Sequence, residues 1–222
     1  MKSEININIR LTGNKNKLFT LNKYIFILKF VILILCIKIS EENLRKLINF
    51  SSEIHLVVRG SGNQSILNDS FYLKPSKVLV NGELRDSCDN FCVLEYEENN
   101  ITLYFDVLVD SCKHMFSYSE NITEIDLSLF DFSNVTTMYG MFRNCINLKT
   151  INFGNINTSL VNSMELLFYF CKKLTSIINL SNFNTSSVIS MRGMFGYCFD
   201  LLSIDLSNFN TKNVESFRTF FV

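Results

Sequence analysis

The 222-residue chain contains no tryptophan, one proline and two histidines. This composition leaves few of the residues that usually bind metals or act in catalysis, and it is not that of a collagen-like chain. Lysine plus arginine and aspartate plus glutamate each number 21, so the formal net charge is zero. Residues 51–222 alone carry 12 basic and 18 acidic side chains, which argues against a nucleic-acid partner. The 47% of hydrophobic residues, which include 21 phenylalanines, are enough for a substantial core.

Residues 1–40 have the layout of a targeting signal. Five basic residues and one acidic residue precede an apolar run from Tyr24 to Ile39, which two lysines interrupt. This run is shorter than the roughly 20 residues of a spanning helix, so we predict an N-terminal apolar helix that acts as a signal peptide. Because no A-x-A-like cleavage triplet follows Ile39, an uncleaved signal anchor in the membrane stays open, as does a buried core helix.

Residues 41–111 carry strand signals and predict a β-rich N-terminal cap region. Apolar residues alternate with others between Ile54 and Val58, and residues 101–109 have the composition of another strand. Asn81 and Gly82 lie between two apolar arms and tolerate positive φ at both central positions of a turn. The sequence therefore predicts a hairpin at this point.

From residue 112 onward the chain repeats itself about every 26 residues. A hydrophobic pair recurs at Met115-Phe116, Met141-Phe142, Leu167-Phe168, Met194-Phe195 and Phe220-Phe221. Each repeat combines an L-x-x-I-x-L pattern, typical of a short strand, with apolar residues at helical spacing. One repeat alone has nothing on which to bury its apolar side chains, whereas a stack of repeats does. The predicted fold is an α/β solenoid, a short right-handed leucine-rich-repeat-like stack of about four rungs over residues 112–222.

The segment from Leu180 to Cys198 closely resembles the repeat of BspA-like leucine-rich-repeat surface proteins. The resemblance covers residues 112–221, where an M-F-x-x-C-x-x-L-x-x-I-D-L-S-x-F core recurs in register; the first unit departs from it at Cys112 and Ser119. Members of that family are mostly secreted or surface-displayed, and some take part in adhesion. The resemblance implies the same location and role for this chain, and it carries over no catalytic residue.

Each predicted strand has a polar residue at the same position. We expect these residues to form a ladder on the outer face of the predicted sheet. The candidate ladder and its flanking residues are Glu124, Asp126, Thr150, Asn152, Ser176, Asn179, Ser203 and Asp205. The ladder is either a solvated surface that resists aggregation or a strip that faces a protein or glycan ligand, since repeat folds use extended sheet faces for binding.

The cysteines fall into two groups. Cys88 and Cys92 lie in a polar segment, where they either form a disulfide that closes a small loop or remain unpaired. Cys145, Cys171 and Cys198 occupy one repeat position and are expected to be buried. The spacing provides no zinc site and no other cofactor site. Glycosylation motifs are present at Asn121, Asn134, Asn157 and Asn184, among others.

Three functional interpretations follow. The leading one is a non-enzymatic secreted or surface-displayed binding or adhesion protein with an unknown protein or glycan ligand and no nucleic-acid partner. The second is a structural remnant of a larger surface protein without a ligand, because the chain stops at Val222 with no polar closing rung. The third is a thiol-dependent enzyme that uses Cys112 and His114.

Overall fold

The computed structural model describes residues 52–222. The predicted signal peptide or anchor, its apolar helix and the first part of the cap region, residues 41–51, lie outside the described residues. The described residues 52–222 all belong to one compact unit.

The described chain is mostly β, with almost no helix. Its strands are β1 (Ser52–Arg59), β2 (Gly62–Ser65), β3 (Lys77–Val80), β4 (Glu83–Leu84), β5 (Phe91–Leu94), β6 (Glu98–Phe105), β7 (Ile122–Asp126), β8 (Thr150–Asn152) and β9 (Ser176–Ile178). A single 3-10 turn spans Leu180–Asn182.

Seven strands form one mixed sheet in the order β4-β3-β6-β1-β7-β8-β9, and β2 pairs with β5 separately. The pairs among β4, β3, β6 and β1 are antiparallel, as is the pair between β1 and β7. The pairs of β7 with β8 and of β8 with β9 are parallel. The cap region and the repeats therefore share one sheet and one hydrophobic core.

The predicted hairpin is confirmed. Strands β3 and β4 pair antiparallel, and Asn81 and Gly82 between them have φ values of 52° and 85°. Both central residues of the turn are thus in the left-handed region that suits the twist of the two strands.

The four repeat units, counted here from the cysteine position, are residues 119–144, 145–170, 171–197 and 198–222. Parallel bridges connect equivalent residues of successive units, Thr137, Ser163, Ser190 and Ser216, and Thr137 is also bridged to Ser111, which precedes unit one. The Phe116, Phe142, Phe168, Phe195 and Phe221 rings lie in one stack, with successive centroids 5.8, 5.5, 5.3 and 5.6 Å apart.

The helical segment predicted for each repeat is wrong: turns occupy these positions instead. In unit one the amide of Phe142 donates to the carbonyl of Leu167 in the next unit, whereas the amide of Arg143 donates to that of Gly140, three residues back. An α-helix would need bonds to the fourth preceding residue throughout. Gly140 and Asn144 also have positive φ, 57° and 61°, which interrupts a right-handed helix. Helical spacing therefore marked buried positions and not a helix.

A thiol accompanies each step of the stack: Cys145 and Cys171 are buried as expected, whereas Cys198 is only partly buried. The Sγ atoms of Cys145 and Cys171 donate to the carbonyls of Phe116 and Phe142 at 3.0 Å, 29 residues earlier in the chain. Cys198 makes the equivalent bond to Phe168 at 3.1 Å. The repeated cysteines thus fill small apolar spaces and bond the chain to a segment 29 or 30 residues earlier.

Candidate binding face of the sheet

The outward side of the seven-stranded sheet presents mainly polar side chains. In β1 the residues Ile54, Leu56 and Val58 are buried, whereas His55 and Val57 between them are part-exposed. The same alternation holds in β6 and, from Thr123 onward, in β7. Because successive side chains of a strand point to opposite faces, one face of the sheet covers the core and the other meets solvent.

Strand register aligns these side chains in two rows across the sheet. We define the His55 row as Leu79, Thr102, His55, Asp126, Asn152 and Ile178. We define the Glu124 row as Asn100, Val57, Glu124, Thr150 and Ser176. Each row crosses from the cap strands to the repeat strands without interruption.

A shallow concavity of about 340 Å³ lies over the centre of both rows. The predicted ladder contributes Glu124, Asp126, Thr150 and Asn152 to its lining. The sequence prediction missed the cap residues of the lining, among them His55, Val57, Asn100 and Thr102, and it missed Ile178. The alternating pattern of β1 and β6 was visible in the sequence, but nothing local indicated that β1 pairs with β7.

His55 lies at the junction between the cap and the repeats. Its Nδ1 is 3.2 Å from Oγ1 of Thr102, and its Nε2 is 3.8 Å from Oε2 of Glu53. Asp126 is its direct neighbour in register on β7. The imidazole therefore contacts one hydroxyl and one carboxylate and lies beside Asp126 in the sheet, with 44% of its side chain exposed.

Asp126 and Asn152 also have structural contacts. Oδ1 of Asp126 accepts bonds from the amide of Ser128 at 2.8 Å and from Nδ2 of Asn152 at 3.2 Å. Oδ1 of Asn152 accepts the amide of Gly154 at 3.0 Å and Nδ2 of Asn179 at 3.1 Å. These side chains close the turn after their strand and connect neighbouring units, which is the bonding expected of Asx turns.

Three predicted ladder residues do not occupy the expected sheet positions. Ile178, and not Asn179, pairs with Asn152. The extra residue of unit three thus falls after the strand, where Asn179 has a φ of 65° and precedes the 3-10 turn. Ser203 and Asp205 are exposed and lie in a segment of unit four that forms no strand. Asp205 instead accepts the amide of Ser207 at 2.9 Å, and this bond lowers the pKa of its carboxyl group.

The remaining cysteines and the glycosylation motifs have defined places. Cys88 and Cys92 are joined by a disulfide beside the smaller sheet, in which Cys92 pairs with Gln64. No group of three or more potential metal ligands lies together in residues 52–222. The four candidate glycosylation residues, Asn121, Asn134, Asn157 and Asn184, are all exposed.

Cys112 and His114 lie in surroundings that disfavour a reactive thiol–imidazole pair. Cys112 is fully buried, and burial raises the pKa of its thiol far above neutrality, with the Asp110 charge adding to this effect. Burial and the charges of Lys113 and Arg143 lower the pKa of His114. Its ring contacts Tyr139 edge to face at 5.1 Å. The thiolate required of a nucleophile is therefore disfavoured at this position.

The described residues define the chain as a mostly β protein in which 26-residue repeats extend a mixed sheet. Residues 110–222, just over half of the chain, match the family described as Mycoplasma protein of unknown function, DUF285. The chain belongs to this family. Comparisons with curated proteins and with solved structures found no match. A membrane-crossing helix is not found in residues 52–222, because none combines the necessary length with the necessary apolar character.

Proposed function

We propose that the chain is a non-enzymatic, secreted or surface-displayed binding protein of the BspA-like type. In this proposal, residues 112–222 form a short leucine-rich-repeat-like solenoid that the β-rich cap region extends. Residues 1–40 direct the chain to the cell surface as a signal peptide or an anchor. Membership of a mycoplasma protein family and the repeated hydrogen bonds between neighbouring units support this assignment.

The observation that carries the proposal is the outward face of the sheet. Its two rows place polar side chains from five strands in one continuous surface, with a shallow concavity at the centre. Sheet faces of repeat proteins bind macromolecules in this manner, through many contacts of shape and polarity. The burial of Cys112 speaks against the thiol-dependent alternative.

A bulky substitution in the middle of the face tests the proposal. Labelled full chain is expected to bind saturably to arrays of extracellular proteins or glycans. Thr150 lines the concavity, so T150R places a long cationic side chain in it and is expected to weaken this binding about tenfold or more.

The matched control is T211R, because Thr211 is exposed in unit four and lies outside the concavity. Equal binding by the two variants would remove the sheet face from the proposal. If the full chain binds nothing saturably, the structural-remnant interpretation is favoured instead. N-terminal sequencing of protein recovered from intact cells, together with its accessibility to added protease, tests the location separately.

A further inference from the structure

We infer that the ligand of the sheet face is an extended segment of a partner protein that carries lysine or arginine at alternate positions. This inference rests on the proposed function and names the class of ligand for the same face. It depends on three features of the concavity: its charge, the spacing of its carboxylates and the apolar side chains beside them.

The concavity has an excess of negative charge. Its lining contains the carboxylates of Glu124 and Asp126, and none of its described lining residues is a lysine or an arginine. The arginine of β1 and the lysine of β3 have other contacts: Arg59 pairs with Glu98 at 3.0 Å, and the Lys77 ammonium lies 5.0 Å from the centre of the Tyr104 ring. A cationic ligand complements this field, whereas a phosphate-rich ligand is repelled by it.

The spacing of the two carboxylates matches that of alternate side chains in an extended peptide. Glu124 and Asp126 are two residues apart on β7 and share the outward face, so they are separated by about 7 Å along the strand. Alternate side chains of an extended peptide have the same spacing. A peptide lying along β7 can therefore place one cationic group opposite each carboxylate.

Hydrogen bonds within the chain fix the orientation of the Asp126 carboxylate. Ser128 and Asn152 both donate to Oδ1 of its carboxylate. Within the described part of the chain these bonds leave Oδ2 available as an acceptor. The carboxylate is thus preorganised for a charge-assisted bond, which reduces the ordering that binding requires.

Apolar side chains lie next to both carboxylates. Val57 pairs with Glu124 in register, and Ile178, which is 44% exposed, pairs with Asn152 beside Asp126. Lysine and arginine bury their methylene stems on apolar surface while the charged group stays in polar surroundings. Carboxylates beside apolar side chains therefore suit a lysine or arginine of the ligand better than a neutral sugar, which has no charge to pair with the carboxylates.

Fluorescence anisotropy with defined peptides tests this inference on the full chain. The probe is a labelled peptide of about eight residues that alternates lysine with threonine, and the reference peptide replaces each lysine with glutamate. The lysine peptide is expected to bind at low ionic strength and to lose affinity as salt approaches physiological concentration, because the Debye length falls from about 30 Å at 0.01 M to about 8 Å at 0.15 M. The glutamate peptide is expected not to bind.

The decisive variant is E124Q, which removes one charge from the concavity and keeps the size of the side chain. It is expected to weaken binding of the lysine peptide by roughly three- to tenfold. The control is E215Q, which removes the same charge from an exposed residue of unit four and is expected to leave the affinity unchanged.

Each contrary result has a separate meaning. Absence of binding by the lysine peptide, equal binding of the two peptides or equal effects of E124Q and E215Q overturns the cationic ligand. If a neutral glycan binds saturably without salt dependence and T150R abolishes that binding, the face is retained and its ligand class is wrong. If T150R and T211R bind the array ligand equally, the failure belongs to the proposed function itself.

Discussion

Units two and four have the same sequence pattern but different burial. Leu148 and Phe168 of unit two are fully buried. In unit four the equivalent Leu201 is partly exposed, and the equivalent Phe221 is 57% exposed. Strand β8 of unit two pairs on both sides, whereas the corresponding segment of unit four forms no strand.

This difference shows where the stability of a repeat comes from. The apolar residues of one unit are covered by the next unit, and its forward-directed amides find their acceptors there. A unit with a neighbour on each side is therefore a complete core layer, and unit four is covered on one side within the described chain. The repeat pattern alone does not determine burial.

The largest expected contrast concerns the two thiols Cys171 and Cys198. Burial raises the pKa of the Cys171 thiol well above its usual range and that of Cys198 to about 12. Cys171 is fully buried, so its alkylation is expected to require global unfolding, with an opening free energy of about 5 kcal/mol or more. Cys198 is expected to react through local opening and at least about tenfold faster.

Alkylation of a C36S variant at a fixed pH, followed by peptide mass mapping, measures both rates in one sample. Cys112 is the internal control, because it is fully buried and lies outside units two to four. Equal rates at Cys171 and Cys198 would contradict the difference between the units.

The phenylalanine stack offers the next largest effect. Phe168 lies between Phe142 and Phe195, with ring centroids 5.5 and 5.3 Å away. F168A is expected to lower the free energy of unfolding by about 3–5 kcal/mol, because it removes a buried ring and leaves a cavity. F221A, at the 57% exposed end of the stack, is expected to lower it by about 1–2 kcal/mol.

Urea unfolding of the two variants beside the unsubstituted chain gives both values. A similar loss from the two substitutions would show that a neighbouring unit adds little to the burial of a ring.

A smaller effect is expected at Gly154, where units one and two approach each other closely. Gly154 has a φ of 55°, and a Cβ atom there would lie 2.6 Å from the Cα of Ser128 in the preceding unit. G154A is expected to lower the free energy of unfolding by about 2–3 kcal/mol, through backbone strain and separation of the units. The control is G82A, since Gly82 also has positive φ but nothing within 4 Å of the added atom.

G82A is expected to show the strain alone, about 1 kcal/mol. Thermal and urea unfolding compare the two alanine variants directly. If they are equally destabilised, the close approach of units one and two contributes no measurable stability.

The candidate face could be predicted in part. The 26-residue period located Glu124, Asp126, Thr150, Asn152 and Ser176, because equivalent positions of parallel strands face the same side. The period failed at Asn179, because one inserted residue places Ile178 at the expected position in the strand. It also failed in unit four, because the segment with Ser203 and Asp205 forms no strand. His55 and Thr102 could not be assigned to this face from local pattern, because the pairing of the cap strands with the repeats connects distant parts of the chain.

The sequence by itself determined which positions of each repeat are apolar and that equivalent positions of neighbouring repeats meet in register. It did so because the same apolar, cysteine and asparagine positions recur and are satisfied by their equivalents one unit away. Only the tertiary structure decided that turns replace the predicted helices and that β1 joins β7. Both outcomes depend on which distant carbonyl accepts a hydrogen bond from each backbone amide. A hydrophobic pattern does not specify this carbonyl.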